Sequence, residues 1–251
     1  MNAPAPLTAE QIREYDEKGF VTLAPSFSPE ELSALRMAAD DLLRNSGPLV
    51  RGNPRLQLEQ EERDGEPVIR KIEPVIDLVP AFEQLVYDPR MTAAASQLFG
   101  EEAILFEDKV NYKPALVGTA YPLHQDYAYW SEYTDRLISV VLHLDDATVD
   151  YGCLRMMPGR HKEGLLPRPD GETRIIAKDV EDPSIAEDVT GAAGSVVLFS
   201  CYTPHHSFPN RSAHGRRAIL YTYNPASEGD TYPLYKGQHT RTCLDWLATQ
   251  A

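Results

Sequence analysis

The sequence predicts a mainly β protein with flanking helices, in which a helical N-terminal part, about residues 8–100, lies on one sheet of an antiparallel core, about residues 103–225. Three observations carry this. Up to Phe99 the apolar residues recur at helical spacing behind clear start signals. Beyond Glu102 they come in short β-branched runs separated by turn residues. No helical pattern lies between those runs, so a sandwich or barrel is expected and not a doubly wound parallel sheet. The chain has 251 residues, 42% hydrophobic and 25% charged, enough to bury a core within one domain spanning 1–251, with 226–251 as a C-terminal extension.

Thr8-Ala-Glu-Gln11 reads as a capping box, predicting a helix to about Lys18 that Gly19 stops. Phe20-Val-Thr-Leu23 has strand composition. Ser28-Pro-Glu-Glu31 repeats the cap more strongly, and Leu32, Leu35, Met37, Ala39, Leu42 and Leu43 supply the apolar stripe of a helix ending near Arg44. Residues 45–67 carry no pattern, and Val68–Ile72 could be a strand. Two helices follow, Asp77 to Tyr87 and Pro89 to Phe99, the second capped by Asp88 and stopped by Gly100. The core strands are then expected at Ala103–Phe106, Lys109–Lys113, Leu137–Leu144, Ser195–Ser200 and Arg217–Tyr223.

Charge limits the partners. Lys and Arg total 24 against 38 Asp and Glu, a formal net charge of −14, so long-range electrostatics oppose binding to nucleic acid or to an anionic membrane. A small anionic substrate stays open, because a few local arginines outweigh a diffuse field. Cys153, Cys201 and Cys243 are odd in number and unclustered, which suits a reducing compartment. Met1–Pro6 lacks a basic and apolar leader, and no apolar run is long enough for a membrane span. A cytoplasmic protein, monomer or homodimer, is expected.

The chemistry centres on Tyr121-Pro-Leu-His-Gln-Asp126. In an extended segment, residues two apart share a face, so His124 and Asp126 present an imidazole and a carboxylate side by side. A second histidine would complete the facial triad that holds non-haem Fe(II) and leaves positions open. The candidates are His143, His161, His205, His206, His214 and His239. His143 sits in an apolar strand, where a core histidine satisfied by a backbone partner is expected. His205-His206 follows a strand, where sites on β scaffolds are commonly built. Arg216 enters another apolar strand and needs an anion, either a local acid or a ligand carboxylate held bidentately.

His124-Gln-Asp126, Leu144–Leu154 with its Tyr151-Gly-Cys-Leu, Met157-Pro-Gly-Arg-His-Lys162, Gly194–Phe199, and His205–Asn210 with Arg216 stand in one order. In that order the chain resembles the phytanoyl-CoA dioxygenase family over roughly residues 105–225. The resemblance implies a double-stranded β-helix (jelly-roll, cupin-like) core and a 2-oxoglutarate-dependent dioxygenase. Such an enzyme uses Fe(2+), 2-oxoglutarate and O2, hydroxylates an unactivated C–H and releases succinate and CO2. It assigns His124, Asp126 and His205 as metal ligands and Arg216 as partner of the distal 2-oxoglutarate carboxylate, with Gln125 and Lys113 as co-substrate or pocket residues. The family pattern His-x-Ser selects His205 over His206. The carboxylate at 126 argues against a halogenating relative, which needs a small residue there. Tyr151 and Arg160 depart from the family's usual Asn and Ser, which touches pocket shape and not the metal.

The competing readings are a non-catalytic metal-binding jelly roll and a metal-dependent hydrolase on the same ligands. Without a basic patch for the CoA phosphates, a small metabolite is expected as substrate. Tyr127, Tyr129, Trp130 and Tyr133 are expected in the core, with those on the face of Asp126 walling a pocket. Pro167 to Asp188, polar and proline-rich, is expected to stay out of the packed core and to form a mobile cover over the metal.

Overall fold

The computed structural model describes residues 7–169, 174–177, 180 and 182–249. The expected leaderless N-terminus, Met1–Pro6, and parts of the expected cover lie outside the described residues. Two antiparallel sheets face each other as a double-stranded β-helix. The larger runs β1 (Phe20–Leu23), β9 (Val196–Ser200), β6 (Ile138–His143), β11 (Arg216–Pro225), β4 (Ala103–Lys113), β3 (Ile69–Ile72) and β2 (Leu56–Leu58). The smaller runs β5 (Tyr121–His124), β10 (His205–Ser207), β7 (Leu154–Met156) and β8 (Glu187–Val189).

Alternation along the strands divides the apolar residues between two layers. Val140, Leu142, Val196, Leu198, Ile219 and Tyr221 face the helices α2 (Pro29–Asn45), α3 (Pro80–Val86) and α4 (Pro89–Phe99), and share one core with their apolar residues. Val141, Val197, Phe199 and Ala218 face the smaller sheet and pack on Met156 and Val189. Buried tyrosines on the outer layer spend their hydroxyls on helix carbonyls. Tyr112 donates to Ala39, Tyr221 to Phe82 and Tyr223 to Val86, at 2.7–2.9 Å. Both expected capping boxes form, at Thr8 on α1 (Ala9–Lys18) and at Ser28 on α2. Each cap contributes about 1 kcal/mol to its helix. Gly19 ends α1 at φ +86°, and a Cβ there would stand 2.5 Å from His161, so only glycine fits.

In the larger sheet two β-bulges break the alternation, and both re-aim side chains toward the space between the sheets. On β3 the register passes from Ile69 opposite Leu58 to Lys71 opposite Gln57, and Arg70 and Lys71 both reach the interior cavity. On β4 it passes from Leu105 opposite Tyr223 to Glu107 opposite Thr222, so Leu105 stays with the helices while Phe106 and Glu107 turn inward.

Several expectations change. The two runs Ala103–Phe106 and Lys109–Lys113 are one strand, because the bulge lets the chain continue through Glu107 and Asp108. The second helix pair begins at Pro80, with Val79 at the cap and no side-chain cap bond. Residues 226–251 hold a long helix, α6 (Tyr232–Ala248), packed on β4. Its buried contacts include Lys236, a residue no apolar-stripe argument would place inside. The 167–188 segment does enter a core: Ile176 packs with Leu123, Met157 and Leu166, and its N–H donates to the Leu123 carbonyl at 2.9 Å. Residues 170–173, 178–179 and 181 of that segment lie outside the described residues. His143 is fully buried, but neither ring nitrogen has a hydrogen-bond partner, so the expected backbone contact is not made. Burial lowers its pKa to about 3 and keeps the ring neutral.

Candidate metal centre and its cavity

His124 is the last residue of β5, and β10 pairs with β5 so that His205 stands directly opposite. Between them Pro122 and Leu123 face the single residue His206 in a bulge, a place where a proline that cannot donate to the ladder is tolerated. Asp126 reaches the pair by another route than the expected alternation. Its backbone is helical (φ −59°, ψ −35°), and it opens the one-turn helix α5 (Tyr127–Trp130), held by the Tyr127 N–H to the Cys201 carbonyl at 3.0 Å. A strand-to-helix turn, not a continuous strand, sets the carboxylate beside the imidazoles.

Asp126 Oδ1 lies 3.6 Å from His124 Nε2 and 3.8 Å from His205 Nε2, and the three donor atoms all lie within 4.8 Å of one another. Their orientation is fixed from behind. His124 Nδ1 meets the Pro122 carbonyl at 2.8 Å and His205 Nδ1 the Thr203 carbonyl at 3.0 Å, which places the proton on Nδ1 and the lone pair on Nε2 in both rings. Ser139 Oγ donates to Asp126 Oδ2 at 3.0 Å, leaving Oδ1 for the centre. Burial, helped by the neighbouring His124, lowers His205 to about 4, so the ring is neutral at neutral pH and its Nε2 lone pair is available to a metal. Burial pushes Asp126 up, but the surrounding histidines and Lys109 outweigh it and the carboxyl stays ionised. Two imidazole nitrogens and one carboxylate oxygen, converging with an open side toward a cavity, are the donor set that suits ferrous iron.

The cavity has a volume of about 360 Å³, near the small end of ligand pockets. At one pole lie Arg216 and Lys113, facing each other across β11 and β4. Arg216 is buried, donates from Nη2 to the Gly152 carbonyl at 3.0 Å, and has no partner for Nε; among the described residues it pairs with no carboxylate. Lys113 Nζ donates to Ser207 Oγ at 2.5 Å and to the same Gly152 carbonyl at 3.3 Å. Burial, with Arg216 and Arg70 nearby, pushes Lys113 down to about 7. Gly152 (φ +66°) has no alternative, since a Cβ there would sit 2.4 Å from the Phe208 carbonyl and 3.0 Å from Lys113. Arg217, one residue on, points out of the cavity and pairs with both Asp145 oxygens and Asp40 at 2.8 Å.

Not every expected residue joins the site. Gln125 does not line the cavity: its amide donates to the Gly164 and Tyr202 carbonyls and accepts from the Leu166 N–H, all at 2.7–2.8 Å. It ties down the base of the 167–188 segment and does not touch the co-substrate space. His206 stands beside the triad but outside it, its ring edge-on to Phe208 at 5.1 Å. His161, His214 and His239 lie away from the three donors. Of the aromatic run, Tyr129 and Trp130 line the cavity, Tyr129 edge-on to His124 at 5.8 Å, while Tyr127 packs on Tyr202 and Tyr133 on Phe106. Ser139 and Gly152 escaped the sequence reading. For Gly152 the signal was its place in Tyr151-Gly-Cys-Leu154; for Ser139 there was none.

A jelly roll with an open two-histidine, one-carboxylate triad and an arginine lacking a counterion in the same cavity belongs to the non-haem iron, 2-oxoglutarate-dependent oxygenases. The chain is a member of the phytanoyl-CoA dioxygenase (PhyH) family, whose sequence model matches residues 15–218. It is 31% identical to the ectoine dioxygenase of Bordetella bronchiseptica over 91% of this chain and 79% of that protein. It is 29% identical to the methylphosphonate hydroxylase of Gimesia maris over 94% of this chain and 88% of that one. Among solved structures it superposes on EctD from S. alaskensis with 2-oxoglutarate and 5-hydroxyectoine, with a TM-score of 0.71, 25% identity, and 91% of this chain and 79% of that chain covered. No helix among the described residues is long and apolar enough to cross a membrane.

Proposed function

We propose that the chain is a dioxygenase in which His124, Asp126 and His205 hold Fe(II), Arg216 and Lys113 hold the distal carboxylate of 2-oxoglutarate, and a small metabolite is hydroxylated. The observation that carries this reading is the shared cavity: three pre-aimed donors and, at one end, a buried guanidinium with an unused Nε and, among the described residues, no carboxylate of its own. When bound, the metal with 2-oxoglutarate and O2 supplies oxidative decarboxylation to succinate and CO2 and the oxidation of a C–H. The protein's part is geometric. The two carbonyl-anchored Nδ1–H groups and the Ser139 hydroxyl hold His124, His205 and Asp126 so that their three donor atoms, which would hold the metal, converge on one side of the cavity. A buried charge-assisted pair at Arg216 orients the co-substrate and contributes about 1.5–3 kcal/mol per hydrogen bond. Phe199 and Leu220 supply apolar lining to the same cavity.

The experiment is to add Fe(II) and 2-oxoglutarate to the protein without oxygen and look for the weak metal-to-ligand charge-transfer band, then admit air and measure succinate. The band and succinate are expected. A metal-bound protein that forms no band and releases no succinate would be a binding protein, and turnover of a candidate substrate without O2 would make it a hydrolase.

A further inference from the structure

The opposite pole of the cavity is charged as well, and differently. The bulge on β3 turns Lys71 inward and the bulge on β4 turns Glu107 inward beside Lys109. Lys71 pairs with Glu73, and Lys109 Nζ bonds Glu107 Oε2 at 2.8 Å. From behind, outside the cavity lining, the fully buried Lys236 of α6 contacts Glu73 and lies 3.3 Å from Glu107 Oε1. Of the other charges nearby, Arg70 reaches Glu59 at 3.9 Å and lies on the Tyr121 ring, and Asp108 faces away into the Val75 and Ile76 amides and Tyr232. The pole therefore contains three amines and two carboxylates, with Lys236 fully buried, Lys109 largely so and Lys71 partly open to solvent.

That composition is one anion short of balance. Burial pushes Lys71 and Lys236 down, whereas Glu107 and Asp126 hold Lys109 up against burial. A purely structural ion network would not need two register breaks to bring Lys71 and Glu107 to a cavity wall. Lys71 and Lys109 both line the cavity, and His124, Asp126 and His205 line the same cavity. An anion seated there stands near the metal.

We propose that Lys71 and Lys109 form an oxyanion subsite for the primary substrate, so that the substrate is a small molecule bearing a carboxylate or phosphonate close to the carbon that reacts. Lys236 is a positioning residue: it holds Glu73 and Glu107 back so that neither lysine is fully neutralised. Trp130 and Tyr235, hydrogen-bonded to each other at 3.1 Å, wall the carbon skeleton. This rests on the function proposed above, and the two are separable by experiment.

The probes are pentanoate, butylphosphonate, pentanamide and pentylamine, titrated by ligand-observed NMR into the Fe(II) and 2-oxoglutarate-loaded protein under nitrogen. The two anions are expected to bind and the amide and amine not to. Whichever anion binds more tightly identifies the acid class. Lys71→Met and Lys109→Met should each weaken the anion by about tenfold or more, the loss of one charge-assisted contact, with the 2-oxoglutarate Kd unchanged. Because Lys109→Met strands Glu107, the paired variant Glu107→Gln with Lys109→Met keeps the local charge and should show the same loss, while Lys109→Arg should retain binding. Equal binding of amide and anion, or unaltered anion binding in both lysine variants, overturns the subsite. Failure of the protein to bind 2-oxoglutarate at all would overturn instead the function on which it rests.

Discussion

The two ends of the cavity hold similar cations in opposite circumstances. Arg216 and Lys113 face a carbonyl and a hydroxyl and, among the described residues, pair with no carboxylate, whereas Lys71 and Lys109 each have a glutamate in contact. A cation pole left bare is costly unless its anion is present at every turnover, as an obligatory co-substrate is. A pole nearly balanced by its own acids binds less strongly and discriminates more, because a misplaced or oppositely charged group meets a glutamate. On the proposed assignments, the difference lets one small cavity sort two small acids to different ends.

The triad lies between the poles, and removing it should have the largest effect. Ala at His124, Asp126 or His205 should abolish Fe(II) binding and succinate release while thermal melting changes little, since neither core includes the triad. Retention of iron by His205→Ala with its loss in His206→Ala would transfer the ligand role to the neighbour. At the bare pole, Arg216→Met should raise the Kd for 2-oxoglutarate by about tenfold to a hundredfold. Arg217→Met should leave that Kd alone and lower the melting temperature, having lost Asp145 and Asp40; equal effects on affinity would erase the distinction between the two arginines.

Lys113 offers a finer test. Its pKa in the free protein is about 7, lowered by burial and by the two arginines, so below pH 7 it is already charged and above pH 7 it must take up a proton to meet an anion. The 2-oxoglutarate Kd measured by calorimetry should rise above pH 7 by up to about tenfold per pH unit and be flat below it. Lys113→Met should flatten the profile. The smallest effect is expected at Gln125, which touches neither pole. Gln125→Leu frees the base of the 167–188 segment, so succinate should exceed product by about twofold while both Kd values hold; an unchanged ratio would mean the segment does not guard the reaction.

Much of this was legible because local rules held. The caps at Thr8 and Ser28 and the parity that sends Arg216 in and Arg217 out follow from neighbours in sequence, whereas Asp126 joins His124 through the turn into α5 and not by strand alternation. What was hidden depends on contacts distant along the chain. Helix α6 has little apolar periodicity, and it buries Lys236 against Glu73 and Glu107, partners more than a hundred residues away. Strict alternation would send Arg70 and Lys71 to opposite faces, and only pairing with β2 reveals the bulge that turns both inward. His143 looked satisfiable by a backbone group, but inside an unbroken ladder the neighbouring amides are already engaged with one another.

The bulges also bear on how such a scaffold changes over generations. Neither β3 nor β4 supplies a metal ligand, and each carries one residue beyond what its ladder needs. Loss or gain of a single codon there would exchange the side chains shown to the substrate while β5, β10 and the turn to α5 kept their register. Descendants of one chain can thus try new diets without rebuilding the oxidising centre.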